Sequence, residues 1–589
     1  MAVVGIDLGT TNSLVGVWKD NKCTLIPNGF GSILTPSVVS ILENGDICVG
    51  EIAKQRLVSH PDVTVGSFKR LMGTDKRVTL GKIAYSPIEL SSFVIRKLIE
   101  DASNYLGEEI SEAVISVPAY FGDTQRSATK LAGELAGVKV ERIINEPSAA
   151  ALSTGLARNE AEMCLVFDFG GGTLDVSLVD LFENVVEIIA VSGDNQLGGD
   201  NFDEMMTDGF IKRTGLDDCQ LGRNEIAAIR NKIEEAKIRL SNEKEVVVTY
   251  HFKNKEYQYT FTNEILIEMC DSIFTRIKKT VDQVIVDAKI SVEDIGNVIM
   301  VGGSSNMKIV QLYLKHLIKK TPFIPEECDL AIAKGCGIVA GIKLRDDDIK
   351  DVVLTDICPF SLGVSTHNEK DAYNPFFSTV IPRNTVLPSS RVSLYVTTQN
   401  NQKRILLGIF QGESMYANDN TKLGELSVAV TAKPAGKETI LVTFTYDING
   451  ILMVDVKVPS TDKSYHQVFM NEKTGLSQSE INRILANLEE VKTKADVEFE
   501  QSKLIVARVE KLFYEYPQYR IQLAYYLDYY QEVCDRGIQS LIEKRTAEFS
   551  RFLDQIENAS WGTDEFDIDD LKRSLLDDLD DDFDPEKMN

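Results

Sequence analysis

One short phrase occurs twice in this chain, and it limits the possible folds more than any other feature. Gly5-Ile6-Asp7-Leu8-Gly9-Thr10-Thr11-Asn12-Ser13 and Phe167-Asp168-Phe169-Gly170-Gly171-Gly172-Thr173-Leu174-Asp175 lie 161 residues apart, from Asp7 to Asp168. Each reads as an apolar strand ending in Asp-x-Gly, a turn of small or hydroxyl residues, and a second apolar strand. Such a turn exposes several backbone N–H groups, and the missing Cβ of glycine lets an anion approach closely. The carboxylate before the turn repels phosphate. It makes sense as a holder of hydrated Mg2+, which takes few carboxylates beside water and phosphate oxygens. One copy alone is an ordinary glycine-rich turn. Two copies in matched strand–turn–strand settings predict a duplicated fold closing on one nucleotide. Neither is a Walker loop or a dinucleotide fingerprint, since no Lys-Ser/Thr opens a helix after it.

The surrounding text divides the chain. Up to about residue 345, short apolar strands (3–8, 113–117, 164–168, 298–301) alternate with helical stretches such as 90–106 and 125–136, the pattern of an α/β domain. Residues 345–356 are acidic and apolar in turn and read as a linker. Beyond them the period changes to two, over 391–398, 404–410, 439–446 and 451–458. Asn449-Gly450 is suited to a two-residue hairpin turn. From Ser477 the strand signal stops. Ser477-Gln478-Ser479-Glu480 fits a capping box, and helix-forming sequence runs to about residue 560 with a break at Pro517.

Composition narrows the class of partner. The 589 residues carry 63 Lys or Arg against 89 Asp or Glu, a net charge of −26. Such acidity argues against a nucleic-acid backbone or an anionic membrane surface as the main partner. Residues 564–589 hold twelve acidic and three basic side chains, and so supply −9 of that charge. This stretch reads as a solvated tail. An acidic amphipathic element is the alternative, because Leu571, Leu575, Leu576, Leu579 and Phe583 recur at nearly helical spacing. Nine scattered cysteines without a CxxC pair suggest thiols in a reducing compartment, and five distant histidines suggest no metal motif. With no signal-like start and no apolar run near the ~20 residues a bilayer needs, the expected location is the cytoplasm.

Further motifs carry a resemblance. The chain contains Ile115-Ser116-Val117-Pro118-Ala119-Tyr120-Phe121, Asn145-Glu146-Pro147-Ser148-Ala149-Ala150-Ala151, Leu197-Gly198-Gly199-Asp200-Asn201-Phe202-Asp203, Val301-Gly302-Gly303-Ser304-Ser305 and Gln411-Gly412-Glu413. With the two hairpins these resemble the DnaK-type heat-shock chaperone ATPases, over nearly the whole chain to about residue 560. The wording Leu354-Thr355-Asp356-Ile357-Cys358-Pro359-Phe360-Ser361-Leu362-Gly363-Val364 is most similar to the HscC branch. The resemblance implies a multidomain fold. Residues 1–350 would be a duplicated α/β actin-like ATPase domain, 351–356 a linker and 357–470 a β-sandwich that binds peptide. Residues 471–560 would form a helical lid, and 561–589 the acidic tail. It implies ATP and ADP as ligands with magnesium and potassium, and a slow ATPase coupled to peptide binding and to the stress response. The implied partners are unfolded or client polypeptide, a J-domain co-chaperone and a possible exchange factor, with the chain a monomer.

Carried onto this sequence, the resemblance makes Lys69, Glu146, Asp168 and Thr173 catalytic. Gly9, Thr10, Thr11 and Asn12 would hold phosphates from one side, and Gly170, Gly171 and Gly172 from the other. Gly198, Gly199, Glu234, Lys237, Ser241, Gly302, Gly303 and Ser304 would complete the nucleotide site. Asp7, Asp168 and Asp175 would surround the metal. Ile238 and Asn306 stand where the family commonly places two arginines around adenine, which predicts weaker nucleotide binding. Pro118, Arg126 and Asp356 would relay the nucleotide state. Val364, Thr366, Tyr395, Ile405 and Leu407 would form the peptide cleft, beneath an arch altered by an insertion at 367–377. Without the resemblance, Lys69 is an ordinary surface lysine and Glu146 a helix-entry residue before Pro147. Two rival readings are a small-molecule kinase of the same superfamily and a non-hydrolysing ATP-bound scaffold.

Overall fold

The structure is a computed structural model. It describes residues 2–155, 162–182, 185–217, 219–253, 255–344, 353–367, 371, 373–447, 452–469, 497–536 and 539–559. The expected capping box at 477–480, the Asn449-Gly450 turn, linker residues 345–352 and the acidic tail lie outside these.

The duplication expected from the two hairpins is present as two sheets. In the first, strand Ala2–Asp7 pairs antiparallel with Asn12–Lys19 and parallel with Ile110–Val117, beyond which lies Lys139–Asn145. In the second, Glu162–Phe169 pairs antiparallel with Leu174–Phe182 and parallel with Asn297–Val301, and Val185–Asp194 continues the sheet. Each strand leading into a hairpin is thus flanked on one side by its return strand and on the other by a parallel neighbour. Strand interiors are buried and rich in Val, Ile and Leu, as sheets covered on both faces require. Helices Glu146–Gly155 and Ala331–Lys343 join the halves at their base. Gly335 permits this crossing, because a Cβ there would collide with the backbone of Ala149.

The linker does more than connect. Val353–Thr355 forms a parallel strand on Val185–Asp194, in register Val185 to Val353, Val186 to Leu354 and Glu187 to Thr355. Residues 362–469 then form two four-stranded sheets around one apolar core. Strand Thr439–Tyr446 has the expected bounds, and Ser389–Val396, Arg404–Gln411 and Leu452–Val458 lie within two residues of theirs. The helical break falls at Pro517: Val497–Glu515 ends, Pro517–Tyr519 makes a single 3-10 turn, and Arg520–Arg536 and Gln539–Ala559 follow. These helices share a core that includes Leu512, Leu523, Tyr530 and Leu553. Val497–Glu515 also lies across helices Glu51–Ser59 and Arg223–Arg239, which belong to opposite halves of the first region. No disulfide joins the cysteines, and no described helix is long and apolar enough to cross a membrane.

Candidate active site

The two glycine-rich turns meet face to face. A Cβ on Gly171 would strike Thr11 Oγ1, and one on Gly172 would strike Thr10 Cγ2, so only glycine allows this approach. Between the halves lies a cavity of about 330 Å3. It is lined by Asp7, Gly9, Thr10, Thr11, Asn12, Lys69, Glu146, Asp168, Gly170, Gly171 and Thr173 at one end. Glu234, Lys237, Ser241, Gly302, Gly303 and Ser304 line the other. Of the expected nucleotide and metal residues, Gly172, Gly198, Gly199 and Asp175 stand just behind this surface. Gly199 and Asp200 donate their amides to the carbonyls of Gly170 and Gly171 at 3.0 and 2.8 Å, and Asp175 accepts from the amide of Tyr120 at 3.0 Å.

Lys69 is not a surface lysine and Glu146 is more than a helix-entry residue. Both are buried (3% and 5% exposed), and Lys69 Nζ lies 2.6 Å from Glu146 Oε1. Asp7, Asp168 and Asp175 are also buried around this pair. Burial, then the charge of Glu146, raises Asp7 to about 7 and Asp175 to about 7, with Lys69 offsetting part of the rise. Asp168 is held well above the ordinary carboxylate range by burial and by Glu146, Asp175 and Asp7. Asp168 Oδ2, Asp175 Oδ2 and Thr11 Oγ1 are buried with no hydrogen-bond partner among the described residues. Four buried carboxylates facing one ammonium form a donor set suited to a cation.

At the far end, Lys237 Nζ reaches Asp203 Oδ2 at 2.7 Å and the carbonyl of Gly199 at 3.3 Å. Burial raises Asp203 to about 6, and Lys237 pulls it partly back. Ile238, 58% exposed, and Asn306 line the open rim, and no arginine stands among the described lining residues. Sequence reasoning missed Asp200, Asp329 and Leu34 in the lining, and Asp203 behind it. Asp200 and Asp203 stood inside a quoted motif; Asp329 and Leu34 carried no local signal.

Glu146 follows Asn145 in sequence, and Asn145 faces the linker. Asn145 Nδ2 and Ser148 Oγ donate to Asp356 Oδ1 at 2.8 and 2.9 Å, and Arg126 bonds the Asn145 side-chain carbonyl. Arg126 and Asp356 are therefore brought together through Asn145, which was not singled out. Arg126 Nε also donates to the carbonyl of Phe121 at 3.0 Å, and the Phe121 amide donates to the carbonyl of Pro118 at 3.1 Å. Buried Asp123 makes a second junction. Its amide donates to Gln411 Oε1 at 3.1 Å, and Tyr446 donates its hydroxyl to the Asp123 carboxylate. In the two-sheet region, Val364 and Leu407 are buried in the core, and Tyr395 and Ile405 pack partly buried against it. Thr366 donates to the carbonyl of Phe376 at 3.3 Å.

A cleft between duplicated halves, with opposed glycine turns and a buried Lys–carboxylate cluster, defines a nucleotide-binding protein whose site is wired to a second folded unit. Comparison with known proteins agrees. The family model described as Hsp70 protein matches residues 3–79 and 75–560. The chain is 39% identical over 521 residues to the chaperone protein dnaK of Cyanidioschyzon merolae, covering 83% of this chain and 84% of that one. It is 39% identical to the DnaK of Thermosipho melanesiensis and 38% to that of Thermotoga petrophila, covering 82% of each chain in both cases. The chain belongs to the Hsp70 family. It is an ATP-dependent molecular chaperone, an ATPase that binds nucleotide and client polypeptide.

Proposed function

We propose that ATP bound between the two glycine turns sets the affinity of the two-sheet region for extended apolar segments of client proteins. The observation that carries this reading is one short path. Lys69 pairs with Glu146; Glu146 is peptide-bonded to Asn145; Asn145 holds Asp356, which follows the linker strand. A change at the γ-phosphate therefore reaches the linker through one backbone bond and two buried polar contacts.

Lys69 would place its ammonium beside the γ-phosphate and the attacking water, where negative charge develops. Glu146 and Thr173 would orient the water, and the turns around Thr10, Thr11, Asn12 and Gly171 would fix the phosphates. Asp7, Asp168 and Asp175 would hold hydrated magnesium, with potassium nearby; the metal supplies neutralisation of phosphate charge. The orphaned oxygens of Asp168 and Asp175 support this assignment.

In this proposal residues 1–350 are the actin-like ATPase domain and 357–470 the peptide-binding sandwich. Residues 471–560 would be the lid, a reading supported by helix Val497–Glu515 lying against helices Glu51–Ser59 and Arg223–Arg239. The wording of 354–364 supports the HscC branch. A J-domain protein would accelerate hydrolysis and an exchange factor would recycle ADP, in the cytoplasm and with a monomeric chaperone. Stopped-flow release of a labelled apolar peptide tests the proposal. ATP should speed release over ADP, and equal release in both nucleotides would overturn it.

A further inference from the structure

Three successive carbonyls of the second phosphate turn are tied back from the cavity. Those of Gly170 and Gly171 accept from the amides of Gly199 and Asp200, within the same half of the domain. That of Gly172 accepts instead from Arg70 Nε at 2.9 Å, and Arg70 Nη2 adds a bond to Gly171 at 3.3 Å. Arg70 belongs to the opposite half. Its 3-10 turn, Phe68–Leu71, also carries Lys69.

The geometry of the peptide unit turns this tie into control of the site. In a planar trans peptide the C=O and the following N–H point opposite ways. Fixing the Gly171 and Gly172 carbonyls outward turns the amides of Gly172 and Thr173 toward the cavity, where a phosphate would take them. A run of three glycines has little conformational preference of its own, so the orientation must come from outside it. The bonds to Gly199 and Asp200 lie within one half, whereas the bond from Arg70 to Gly172 crosses between the halves. Ser67 Oγ to Asp200 Oδ2 at 2.6 Å, and Gln196 Nε2 to the Arg70 carbonyl at 3.0 Å, strap the same turn across the cleft.

We propose that Arg70 is a positioning residue for ATP hydrolysis: by gripping the Gly171 and Gly172 carbonyls from across the cleft, it makes assembly of the phosphate turn depend on closure. One turn thereby delivers Lys69 to the γ-phosphate and completes the opposing amides. The role needs a fork. Nε and Nη2 hold two backbone carbonyls, and Nη2 also reaches Asn201 Oδ1 at 2.8 Å. An ammonium cannot span these positions. The proposal rests on the reading of the glycine turns as phosphate-binding.

The test uses the full chain with Arg70→Lys, Arg70→Ala and Gly171→Val. Arg70→Lys should slow single-turnover ATP hydrolysis by about 100-fold, the scale of losses from misplaced catalytic geometry. Its affinity for Mg·ADP should stay within about threefold of wild type, because ground-state contacts remain. Millimolar guanidinium should restore a good part of the rate to Arg70→Ala, and methylammonium should not. Gly171→Val should lose Mg·ADP binding. If Gly171→Val binds ADP normally, the turn is not the phosphate site and the proposal falls with that reading. If Gly171→Val loses ADP while Arg70→Lys hydrolyses ATP at near wild-type rate, the role of Arg70 alone is refuted. Equal losses of rate and ADP affinity in Arg70→Lys would also refute it, since that is the signature of a merely structural residue.

Discussion

Asp356→Ala should uncouple the nucleotide site from the two-sheet region without disabling nucleotide binding. Asp356 is 4% exposed, and its Oδ1 accepts from Asn145 at 2.8 Å and Ser148 at 2.9 Å. In the variant, the docked linker leaves two buried donors without an acceptor, at about 1–3 kcal/mol each. When the linker leaves, both donors meet water and the penalty disappears. The docked arrangement therefore loses about 2–6 kcal/mol against the undocked one, a factor of about 30 to about 20,000. Hydrogen exchange at the amides of Val353–Thr355 reads this directly, because that strand exists only when paired with Val185–Asp194. Protection in ATP should collapse, ATP should no longer hasten peptide release, and ATP affinity should change less than about threefold. Ser148→Ala, which removes a donor instead, should cost only about 0.5–1.5 kcal/mol. Retained protection and normal ATP-driven peptide release in Asp356→Ala would refute the reasoning.

Other perturbations follow from the same contacts. Ile238→Arg should restore a stacking cation at the open rim and tighten ADP by about 0.5–2 kcal/mol, or about two- to thirtyfold, measured by calorimetry. Glu515 is buried where helix Val497–Glu515 crosses the first region, accepts from Asn231 at 2.6 Å and sits near Lys511 and Lys232. Glu515→Ala should weaken the docking of helix Val497–Glu515 by about 3 kcal/mol, the low end for breaking a buried pair because Glu557 stays 3.4 Å from Lys511. Faster exchange in helix Val497–Glu515 would report it. Asp7 and Asp175, raised to about 7, keep protons in the folded chain that the unfolded chain sheds near pH 4. Without metal, their contribution to stability therefore falls as pH rises from about 4 to about 7. Magnesium held at this cluster, as proposed, would displace those protons, so any rise in melting temperature it produces should grow between pH about 5.5 and about 8. A pH-independent rise would contradict the cluster's role.

Much of this was legible in the sequence because it is local. The hairpins announce themselves through composition at fixed offsets, and period-two alternation placed strand Thr439–Tyr446 at its observed bounds. What escaped is non-local. Asp123 meets Gln411 and Tyr446 across 288 and 323 residues, and no periodicity predicts such a partner. Asn145 reaches Asp356 across 211 residues and Arg70 reaches Gly172 across 102, partners that their local sequence does not name. The linker's Val-Leu-Thr stretch became a strand because Val185–Asp194 offers it an edge, a property of the partner and not of the segment. Alternation could not say which of Val364, Thr366, Tyr395, Ile405 and Leu407 would face a cleft. In the docked state, Val364 and Leu407 face the core.

The most direct measurement is single-turnover ATP hydrolysis by the full chain, with and without an apolar peptide, beside Lys69→Ala. Slow hydrolysis that peptide accelerates, and that Lys69→Ala lowers by at least about 100-fold, is the expected result. Hydrolysis that ignores peptide, or that survives loss of Lys69, would contradict a switch driven from the γ-phosphate.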